Sequence, residues 1–360
     1  MKKIKLTGVL VTSSLFLGVT SSAMALTLTF TQISTPFNNP IGIDYYEPSN
    51  SVVMSVNYSS GQPRNFETVQ LDGSHSPFST VSGFTDEVKI ATVRSTTHGG
   101  FGTFSAGDLF VGNGIDGQIA RITGNGTTVI NPWVDLPNSG NGLMRGSLYV
   151  DRTGVYNGDL IAATTNGEVW RIDSSGTPTM LADVNTHLEG LMTVPNNPIY
   201  GGLAGKIIAG AENTGLMYVF DNSGFVTTYN LGVAIEDIDM INANENFFGV
   251  NYGTSRLLGV EASQFSSVVG NILLTSEFGG QSGNGSGLYH MYWDANQNKP
   301  VAELIDFAAG TFNPSQWEHV TFAPAGIREI PPTTTISEPA TLILMSLGLI
   351  GIGTMRRRYA

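Results

Sequence analysis

The sequence predicts an all-β fold of about six repeated four-stranded units, placed between an export signal and a C-terminal apolar segment. Three observations predict it. Forty-four glycines and a charged fraction of only 13% suit many tight turns between short strands. No segment between Leu26 and Pro332 carries the long, capped period of an amphipathic helix. A pattern of paired strands recurs at an interval of about fifty residues.

Residues 1–25 have the organisation of a secretory signal peptide. Three lysines open it, Lys2, Lys3 and Lys5. An apolar stretch follows over residues 9–19, and Ala23 and Ala25 form the small-x-small pattern that signal peptidase cleaves. We therefore expect signal peptidase as a partner and Leu26 as the first residue of the exported chain.

The composition of the remaining chain limits its partners and its means of stabilisation. There are no cysteines, so disulfides and thiolate metal sites are excluded, and the core must supply the stability. With both ends removed, lysine plus arginine falls from 17 to 11, while all 29 acidic residues stay, giving a net charge near −18. Such a body repels nucleic acid and anionic lipid, and its natural small partners are cations or neutral surfaces.

Two strands recur together along the chain, each opened by glycine. The copies of the first strand are residues 107–111, 158–162 and 205–209. The copies of the second strand are residues 117–122, 167–172 and 215–220. A turn that contains Asp and Gly follows in register at 173–176 and 221–224, where Asp bonds its own backbone and Gly accepts a positive φ. The pattern indicates meander hairpins.

Weaker copies of these strands extend the array on both sides. They are residues 51–57, 246–251, 270–276 and 287–293. About six units of this size cannot bury both faces alone, and closure into a ring hides their edges, so residues 26–330 are predicted to form a β-propeller. Five or seven blades, and an open β-solenoid, are the alternatives.

A third recurring element is a short alternating strand opened by a charged residue. Its copies are residues 87–90, 145–148, 189–192, 236–239 and 318–321. The first strand of a propeller blade lines the central channel, so these strands would bring four glutamates around one axis with Arg145 among them. The glutamates are Glu87, Glu189, Glu236 and Glu318. Such carboxylates suit a hard cation, and Ca²⁺ is favoured over Mg²⁺ because Mg²⁺ demands a tighter geometry. The alternative is ordinary hydrogen bonding with a salt bridge to Arg145.

Candidate catalytic residues are scarce, and no catalytic set is assigned. The histidines show no metal-ligand pair on a helix, and no serine stands in a nucleophile elbow. His187 and His319 lie next to Glu189 and Glu318, where a channel could hold a histidine and carboxylate pair for proton transfer near neutral pH. A structural role for each histidine is the alternative.

On this pattern the body resembles the propellers of the gluconolactonase, strictosidine synthase and NHL-repeat type. The residues that carry the resemblance are Glu189 and Gly190, a Glu-Gly pair at the start of an inner strand. The resemblance implies a calcium ligand near the channel mouth, and lactone or ester hydrolysis if further ligands complete the metal shell.

The C-terminal residues 337–360 form a compact pattern. Ser337, Glu338 and Pro339 precede a charge-free run over residues 340–355. Three arginines close the pattern, Arg356, Arg357 and Arg358. The segment resembles the PEP-CTERM sorting signal of bacterial proteins handled by an exosortase, which implies an exosortase-type enzyme as a partner. A simple tail anchor is the alternative.

The apolar run has the dimensions of a short transmembrane helix. Its sixteen residues span roughly 24 Å as a helix, against a hydrocarbon core of roughly 30 Å. The arginines would stay on the cytoplasmic side, which places the body outside. Residues 331–336 are rich in proline and threonine and are interpreted as a stiff linker.

The sequence therefore predicts an exported β-propeller, anchored transiently by its C-terminal helix and delivered to the cell surface or extracellular matrix. A binding or scaffold role is expected rather than an enzymatic one, with extracellular polysaccharide as the candidate partner and calcium as the candidate cofactor. The alternative is a calcium-dependent lactonase or esterase that acts in the propeller channel.

Overall fold

The computed structural model describes residues 25–34, 36–70, 72–137, 139, 142–278, 286–308 and 314–324. Residues 1–24 of the predicted signal peptide, the linker 331–336 and the sorting segment 337–360, with its apolar run, lie outside this part of the chain. No helix within the described ranges is long and apolar enough to cross a membrane.

Six four-stranded antiparallel sheets make up the fold. The innermost strands of neighbouring sheets contact one another in a closed circle, so each sheet is one blade of a ring. The protein is thus a six-bladed β-propeller, which confirms the predicted fold class and decides against the solenoid and the other blade counts.

Blades 1 to 4 follow one another along the chain, and each runs from the channel outward. Blade 1 consists of Ile43–Tyr46, Ser51–Ser55, Phe66–Val69 and His75–Pro77. Blade 2 consists of Ile90–Thr92, Leu109–Gly112, Gln118–Thr123 and Thr128–Asp135. Blade 3 consists of Leu148–Val150, Leu160–Ala163, Glu168–Ile172 and Pro178–Asp183. Blade 4 consists of Glu189–Thr193, Ile207–Ala211, Leu216–Phe220 and Val226–Asn230.

Blades 5 and 6 are interlocked in sequence. Blade 5 consists of Ile238–Met240, Ile272–Ser276, Gly287–Asp294 and Lys299–Leu304. Blade 6 consists, from the channel outward, of Trp317–Pro324, Glu245–Asn251, Arg256–Val260 and Thr31–Ser34. The two middle strands of blade 6 therefore lie, in the chain, between the first and second strands of blade 5. The outer strand comes from near the N-terminus, so both ends of the described chain close the ring.

The elements outside the blades are small. Thr27–Leu28 pairs in parallel with Asp306–Phe307. The 3-10 helices of the described chain are Glu47–Ser49, Thr96–His98, Pro198–Leu203, Tyr252–Thr254 and Ala262–Phe265.

The repeated strand pairs of the sequence are the second and third strands of blades 2, 3 and 4. Their apolar side chains are buried on both faces, because each blade packs between two others. The repeated arginines on the third strands pair with the aspartates that open the second strands. Arg121 Nη2 lies 2.5 Å from Asp108 Oδ2, and Arg171 Nη2 lies 2.6 Å from Asp159 Oδ2.

An aromatic cluster holds blade 6 together across its interlocked parts. Trp317 of the inner strand is fully buried. Its ring lies 5.3 Å from that of Phe30, 5.9 Å from Phe247 and 6.4 Å from Phe307. These partners come from distant parts of the chain, so the cluster forms only when the ring is closed.

Candidate metal centre

Six glutamates line the end of the channel at which the inner strands begin. They are Glu87, Glu189, Glu212, Glu236, Glu277 and Glu318, called here the acidic mouth. Four of them are the glutamates that the sequence places at the starts of inner strands. Glu189, Glu236 and Glu318 are buried, while Glu87 is partly buried. Carboxyl groups are therefore concentrated in a part of the molecule that water reaches poorly.

The Glu-Gly pair at the start of the blade 4 inner strand forms a β-bulge. Glu189 is opposite Gly210 and Leu191 is opposite Ala209, so Gly190 is the extra residue. Its φ of +57° is a left-handed conformation, and a Cβ there would lie 2.9 Å from Cγ1 of Ile238. The bulge thus needs glycine, and it sets the direction of the Glu189 side chain.

A buried lysine, which the sequence analysis did not single out, sits among the glutamates. Lys89 belongs to the segment that leads into the blade 2 inner strand and is fully buried. Its Nζ lies 2.9 Å from Glu236 Oε1 and 3.3 Å from Glu87 Oε2. A buried ammonium is tolerated only when paired, and Lys89 supplies one positive charge to the acidic mouth.

Glu212 and Glu277 were also missed by the sequence analysis. Each follows directly after the second strand of its blade, in blades 4 and 5. The loop between the second and third strands lies at the same end of the blade as the start of the inner strand, as the pairing of Glu189 with Gly210 shows. A carboxylate at the same loop position of consecutive blades was the signal that could have found them.

Three overlapping groups of side chains have the spacing of metal ligands. In each group the ligand atoms lie within 4.8 Å of one another. The groups are His187, Glu189 and Glu212; Glu87, Glu189 and Glu236; and Glu212, Glu236 and Glu277. Since they share members, they describe one centre. Glu318 lies close by, but its oxygens belong to none of the groups found among the described residues.

Two buried carboxylate oxygens of this centre, Glu87 Oε2 and Glu189 Oε2, have no hydrogen-bond donor among the described residues. Glu189 Oε1 lies 3.0 Å from His187 Nε2, whereas Glu189 Oε2 is buried without any hydrogen-bond donor among the described residues. A buried oxygen without a donor is costly unless a proton or a cation occupies the adjacent space. The donor set, mostly carboxylate oxygen, fits a hard cation.

The electrostatics of the acidic mouth separate its glutamates into two kinds. Burial would raise the pKa of Glu236, but the Lys89 ammonium and hydrogen bonds with His319 and Glu189 together outweigh burial and hold that pKa well below its usual range. Burial, reinforced by the charge of Glu236, raises the pKa of Glu189 and of Glu318 well above the usual range. The same causes raise the pKa of Glu212 to about 7 and that of Glu277 to about 8. Without a cation, the acidic mouth therefore keeps protons at neutral pH.

The three residues predicted as neighbours of the site lie at different depths. Arg145 is partly buried at the rim, where its Nε lies 3.4 Å from Asp86 Oδ2 and 3.9 Å from Glu87 Oε1. His187 is partly buried, and burial lowers its pKa. His319 is deeper, with Nε2 3.6 Å from Glu236 Oε1 and Nδ1 3.7 Å from Asp237 Oδ2.

The middle of the channel is filled. Below the acidic mouth lies a cavity of only about 30 Å³, room for about one water molecule. Its apolar walls come from all six inner strands, at Ile43, Ile90, Leu148, Leu191, Ile238 and Val320. The two ends of the channel are therefore separate surfaces.

Fold and site together define a six-bladed β-propeller with a carboxylate-lined channel mouth. A family model described as the PEP-CTERM protein-sorting motif matches residues 335–358. This confirms the resemblance seen in the C-terminal sequence. The motif indicates an exported protein that an exosortase processes and that is sorted to the cell envelope.

Solved structures with a similar fold include lyases and a lactonase-like protein. A virginiamycin B lyase from Staphylococcus aureus is 13% identical, over 84% of this chain and 97% of that chain, with a TM-score of 0.46. A streptogramin B lyase is 12% identical, over 78% and 87%, with a TM-score of 0.44. A protein provisionally described as a gluconolactonase is 14% identical, over 78% and 94%, with a TM-score of 0.44. No curated protein sequence matches this chain. None of these likenesses carries a ligand or a reaction over to this chain.

Proposed function

We propose that this protein is a binding protein of the cell surface or extracellular matrix, which holds a Ca²⁺ ion in the acidic mouth and uses it to bind extracellular polysaccharide. The observation that carries the proposal is the convergence of six glutamates on one buried lysine, with Glu189 Oε2 lacking a donor. The predicted export and sorting to the envelope put such a site where calcium and polysaccharide are available.

The charge balance of the acidic mouth favours a cation. One ammonium, that of Lys89, faces six carboxyl groups, and Arg145 at the rim is shared with Asp86. Lys89 occupies the side of the centre next to Glu87 and Glu236. Glu189, Glu212 and Glu277 remain as the ligands that would hold the ion, with Glu236 shared between the ion and Lys89.

Calcium fits this donor set better than magnesium does. Ca²⁺ takes six to eight oxygens in a flexible arrangement, whereas Mg²⁺ demands a tight octahedron. Glutamates contributed by separate blades and loops suit the looser geometry. Partly buried Glu212 and Glu277 leave the ion open toward solvent, so hydroxyl or carboxylate oxygens of a polysaccharide could complete its shell.

Calorimetric titration with Ca²⁺, on protein purified in chelator, tests the ion site. We expect one ion per molecule, with a Kd on the order of 10⁻⁴ to 10⁻³ M, the range of extracellular calcium modules. At about one hundred times the Kd, the ion should add about 2.7 kcal/mol to the free energy of unfolding. Absence of both heat and thermal stabilisation would contradict the proposal.

Co-sedimentation with extracellular polysaccharide, with and without chelator, tests the ligand. The protein should sediment with polysaccharide in Ca²⁺ and remain in solution when the ion is removed. Equal co-sedimentation with and without chelator would indicate that polysaccharide binds elsewhere on the molecule.

A calcium-dependent lactonase or esterase is the second candidate. The observation that favours it is the 3.0 Å contact between His187 Nε2 and Glu189 Oε1, a histidine and carboxylate pair beside the ion ligands. If this candidate is correct, the wild-type protein should show metal-dependent hydrolysis, and Glu189→Gln should abolish it. Wild-type protein that hydrolyses no member of a broad lactone and ester panel in Ca²⁺ would exclude it and leave the binding role.

A further inference from the structure

The rim of the acidic mouth carries two tyrosines, Tyr58 and Tyr252, called here the tyrosine pair. Their ring centroids lie 6.3 Å apart, the ring planes stand at 81° to each other, and both side chains are partly exposed. We propose that the tyrosine pair holds an uncharged pyranose ring of the extracellular polysaccharide, next to the bound ion. This inference rests on the proposed function, and it narrows the ligand from polysaccharide in general to sugar units without a carboxylate.

The tyrosine pair continues the circle of loops that supplies Glu212 and Glu277. In blades 4, 5 and 6 the residue directly after the second strand is Glu212, Glu277 and Tyr252, respectively. Tyr58 follows the second strand of the next blade, blade 1, by three residues. Loops at this position lie at the end of the channel where the acidic mouth is. Two glutamates and two tyrosines therefore line consecutive parts of its rim.

The electrostatic surroundings of the two hydroxyl groups agree with this position. Burial, reinforced by Asp86 at the rim, raises the pKa of Tyr58. Burial also raises the pKa of Tyr252, and there the reinforcing groups are Glu318 and Glu277. Both hydroxyl groups therefore stay protonated at neutral pH, and each can donate a hydrogen bond to a sugar oxygen.

The backbone at both tyrosines is held by hydrogen bonds. The amide of Tyr58 donates to the carbonyl oxygen of Asn39 at 3.2 Å, and the side-chain amide of Asn39 donates to the carbonyl oxygen of Tyr58 at 2.9 Å. The amide of Tyr252 donates to the carbonyl oxygen of Gln316 at 3.0 Å. Neither tyrosine hydroxyl has a hydrogen-bond partner among the described residues. The backbone positions are thus fixed before binding, while the polar ends of the side chains stay available, which lowers the entropy cost of binding.

The chemistry of the tyrosine pair matches a sugar ring. An aromatic face carries negative charge, and a pyranose presents weakly positive C–H groups on the faces of its ring, so the two stack. Two aromatic rings at nearly a right angle offer a sugar one surface below it and a second beside it. The hydroxyl groups at the edge of the sugar are both donors and acceptors, as the tyrosine hydroxyls are.

The charge of the acidic mouth decides against an acidic sugar. The ion would supply two positive charges and the Lys89 ammonium one, against the four glutamates that would share the ion, with Glu87 and Glu318 besides. Arg145 adds no excess, because Asp86 pairs with it. A uronate would therefore meet net negative charge even with Ca²⁺ bound. Neutral hydroxyl oxygens can complete the calcium shell without that repulsion.

Carboxyl reduction of the polysaccharide tests the specificity. The probe is the extracellular polysaccharide of the producing cells, used as isolated and after chemical conversion of its uronic acids into neutral sugars. In Ca²⁺ the wild-type protein should co-sediment with the reduced polymer at least as strongly as with the untreated one. Loss of binding on reduction would overturn the proposal, because the protein would then depend on a sugar carboxylate.

Variants then locate the contact. Tyr58→Ala and Tyr252→Ala should each weaken binding of the reduced polysaccharide by roughly twofold to tenfold, the range for aromatic contacts. Tyr58→Phe keeps the ring and should lose less than Tyr58→Ala. The matched control is Tyr292→Ala, at a partly exposed tyrosine on the third strand of blade 5, which should bind polysaccharide like wild type.

Calcium calorimetry on the same variants separates this inference from the proposed function. All of them should bind Ca²⁺ like wild type, because the ligand groups consist of glutamates and a histidine. Melting temperatures equal to that of wild type show that the variants are folded. Unchanged polysaccharide affinity in both Tyr58→Ala and Tyr252→Ala would overturn the tyrosine pair alone. Wild-type protein that binds Ca²⁺ but no polysaccharide would overturn the polysaccharide-binding role as well.

Discussion

Lys89 changes how the acidic mouth should be understood. Its buried ammonium is already bonded to Glu236, so part of the negative charge is balanced before any ion arrives. Burial alone would lower the pKa of Lys89, but the surrounding glutamates, Glu236 and Glu87 foremost, together outweigh burial and raise it, so this lysine stays charged and is not a nucleophile. An added ion therefore complements Lys89 rather than replacing it.

Replacement of Lys89 by methionine should make stability depend strongly on the ion. In chelator the variant should lose about 3–5 kcal/mol of unfolding free energy, because Glu236 becomes a buried charge without its partner. Ca²⁺ should restore part of the loss by occupying the same carboxylates. Urea unfolding with and without Ca²⁺ measures both effects. Exposed Lys299→Met is the control, and an equal loss there would argue against a special role for Lys89.

Replacement of Glu189 by glutamine should abolish stabilisation by Ca²⁺ while leaving the fold intact. Glu189 belongs to two of the three ligand groups, and its burial keeps it protonated when no ion is bound, so a neutral amide of the same shape is tolerated. Thermal unfolding across a Ca²⁺ series measures the effect. Exposed Glu261→Gln should respond like wild type. A Glu189→Gln variant that keeps the full Ca²⁺ response would move the ion to other ligands.

Among the structural elements, the bulge at Gly190 links backbone conformation to the proposed ion site. Gly190→Ala should cost about 1–3 kcal/mol, because the left-handed φ is strained for alanine and the new methyl meets Ile238. The control is Gly232→Ala, whose φ of +67° is similar but whose Cβ would meet nothing within 4 Å. A larger loss of Ca²⁺ affinity at Gly190 than at Gly232, measured by calorimetry, would assign the bulge to positioning of Glu189. Equal losses would restrict its role to backbone strain.

The elements differ in how far sequence could predict them. The second and third strands of blades 2 to 4 were visible, because burial on both faces and glycine turns leave an apolar repeat in the sequence. Glu212 and Glu277 were not, since each is a single loop residue outside the strand repeats, and their shared position shows only once the blades are aligned. Lys89 was read only as part of a strand, because sequence does not show that a lysine is buried. The hairpin at 245–260 was recognised in part as a strand repeat. Its pairing partners could not be predicted, because they are distant in the chain and no local sequence pattern identifies them.

Blades 5 and 6 should open together. The middle strands of blade 6 lie in the chain between the first and second strands of blade 5. Unfolding of either blade should therefore disrupt strand pairing in the other. Native-state hydrogen exchange should give the middle strands of both blades one common opening free energy, distinct from local fraying at outer strands. Blades 3 and 4, which follow one another simply, provide the comparison. Separate opening energies for blades 5 and 6 would contradict this coupling.

For the whole molecule, stability in the absence of an ion should fall as the pH rises. Burial raises the pKa of Glu212 and of Asp239 to about 7 and that of Glu277 to about 8, from reference values of 4.5 for Glu and 3.8 for Asp. Groups with a raised pKa in the folded state stabilise it fully below the unfolded pKa, and this stabilisation is lost as the pH passes through 7 to 8. In chelator we expect a lower melting temperature at pH 8.5 than at pH 5.5.

Calcium should reduce that fall, because it replaces protons at Glu212 and Glu277, while Asp239, which lies 4.0 Å from Arg152 Nη1 and away from the acidic mouth, is unaffected. Melting curves at the two pH values, with Ca²⁺ and with chelator, give the comparison. A melting temperature that rises from pH 5.5 to pH 8.5 in chelator would contradict the sign of this prediction.

The interlocking of blades 5 and 6 also decides when a newly exported chain becomes complete. The outer strand of blade 6 is made before every other blade strand, and its inner strand is made after all of them. Until that last strand arrives, the hairpin at 245–260 presents an unpaired edge, and the aromatic pocket for Trp317 is vacant. A stalled or truncated chain thus exposes an unpaired strand edge beside an unfilled aromatic pocket. Finished molecules hide both, so complete and incomplete chains differ in exposed surface as well as in length.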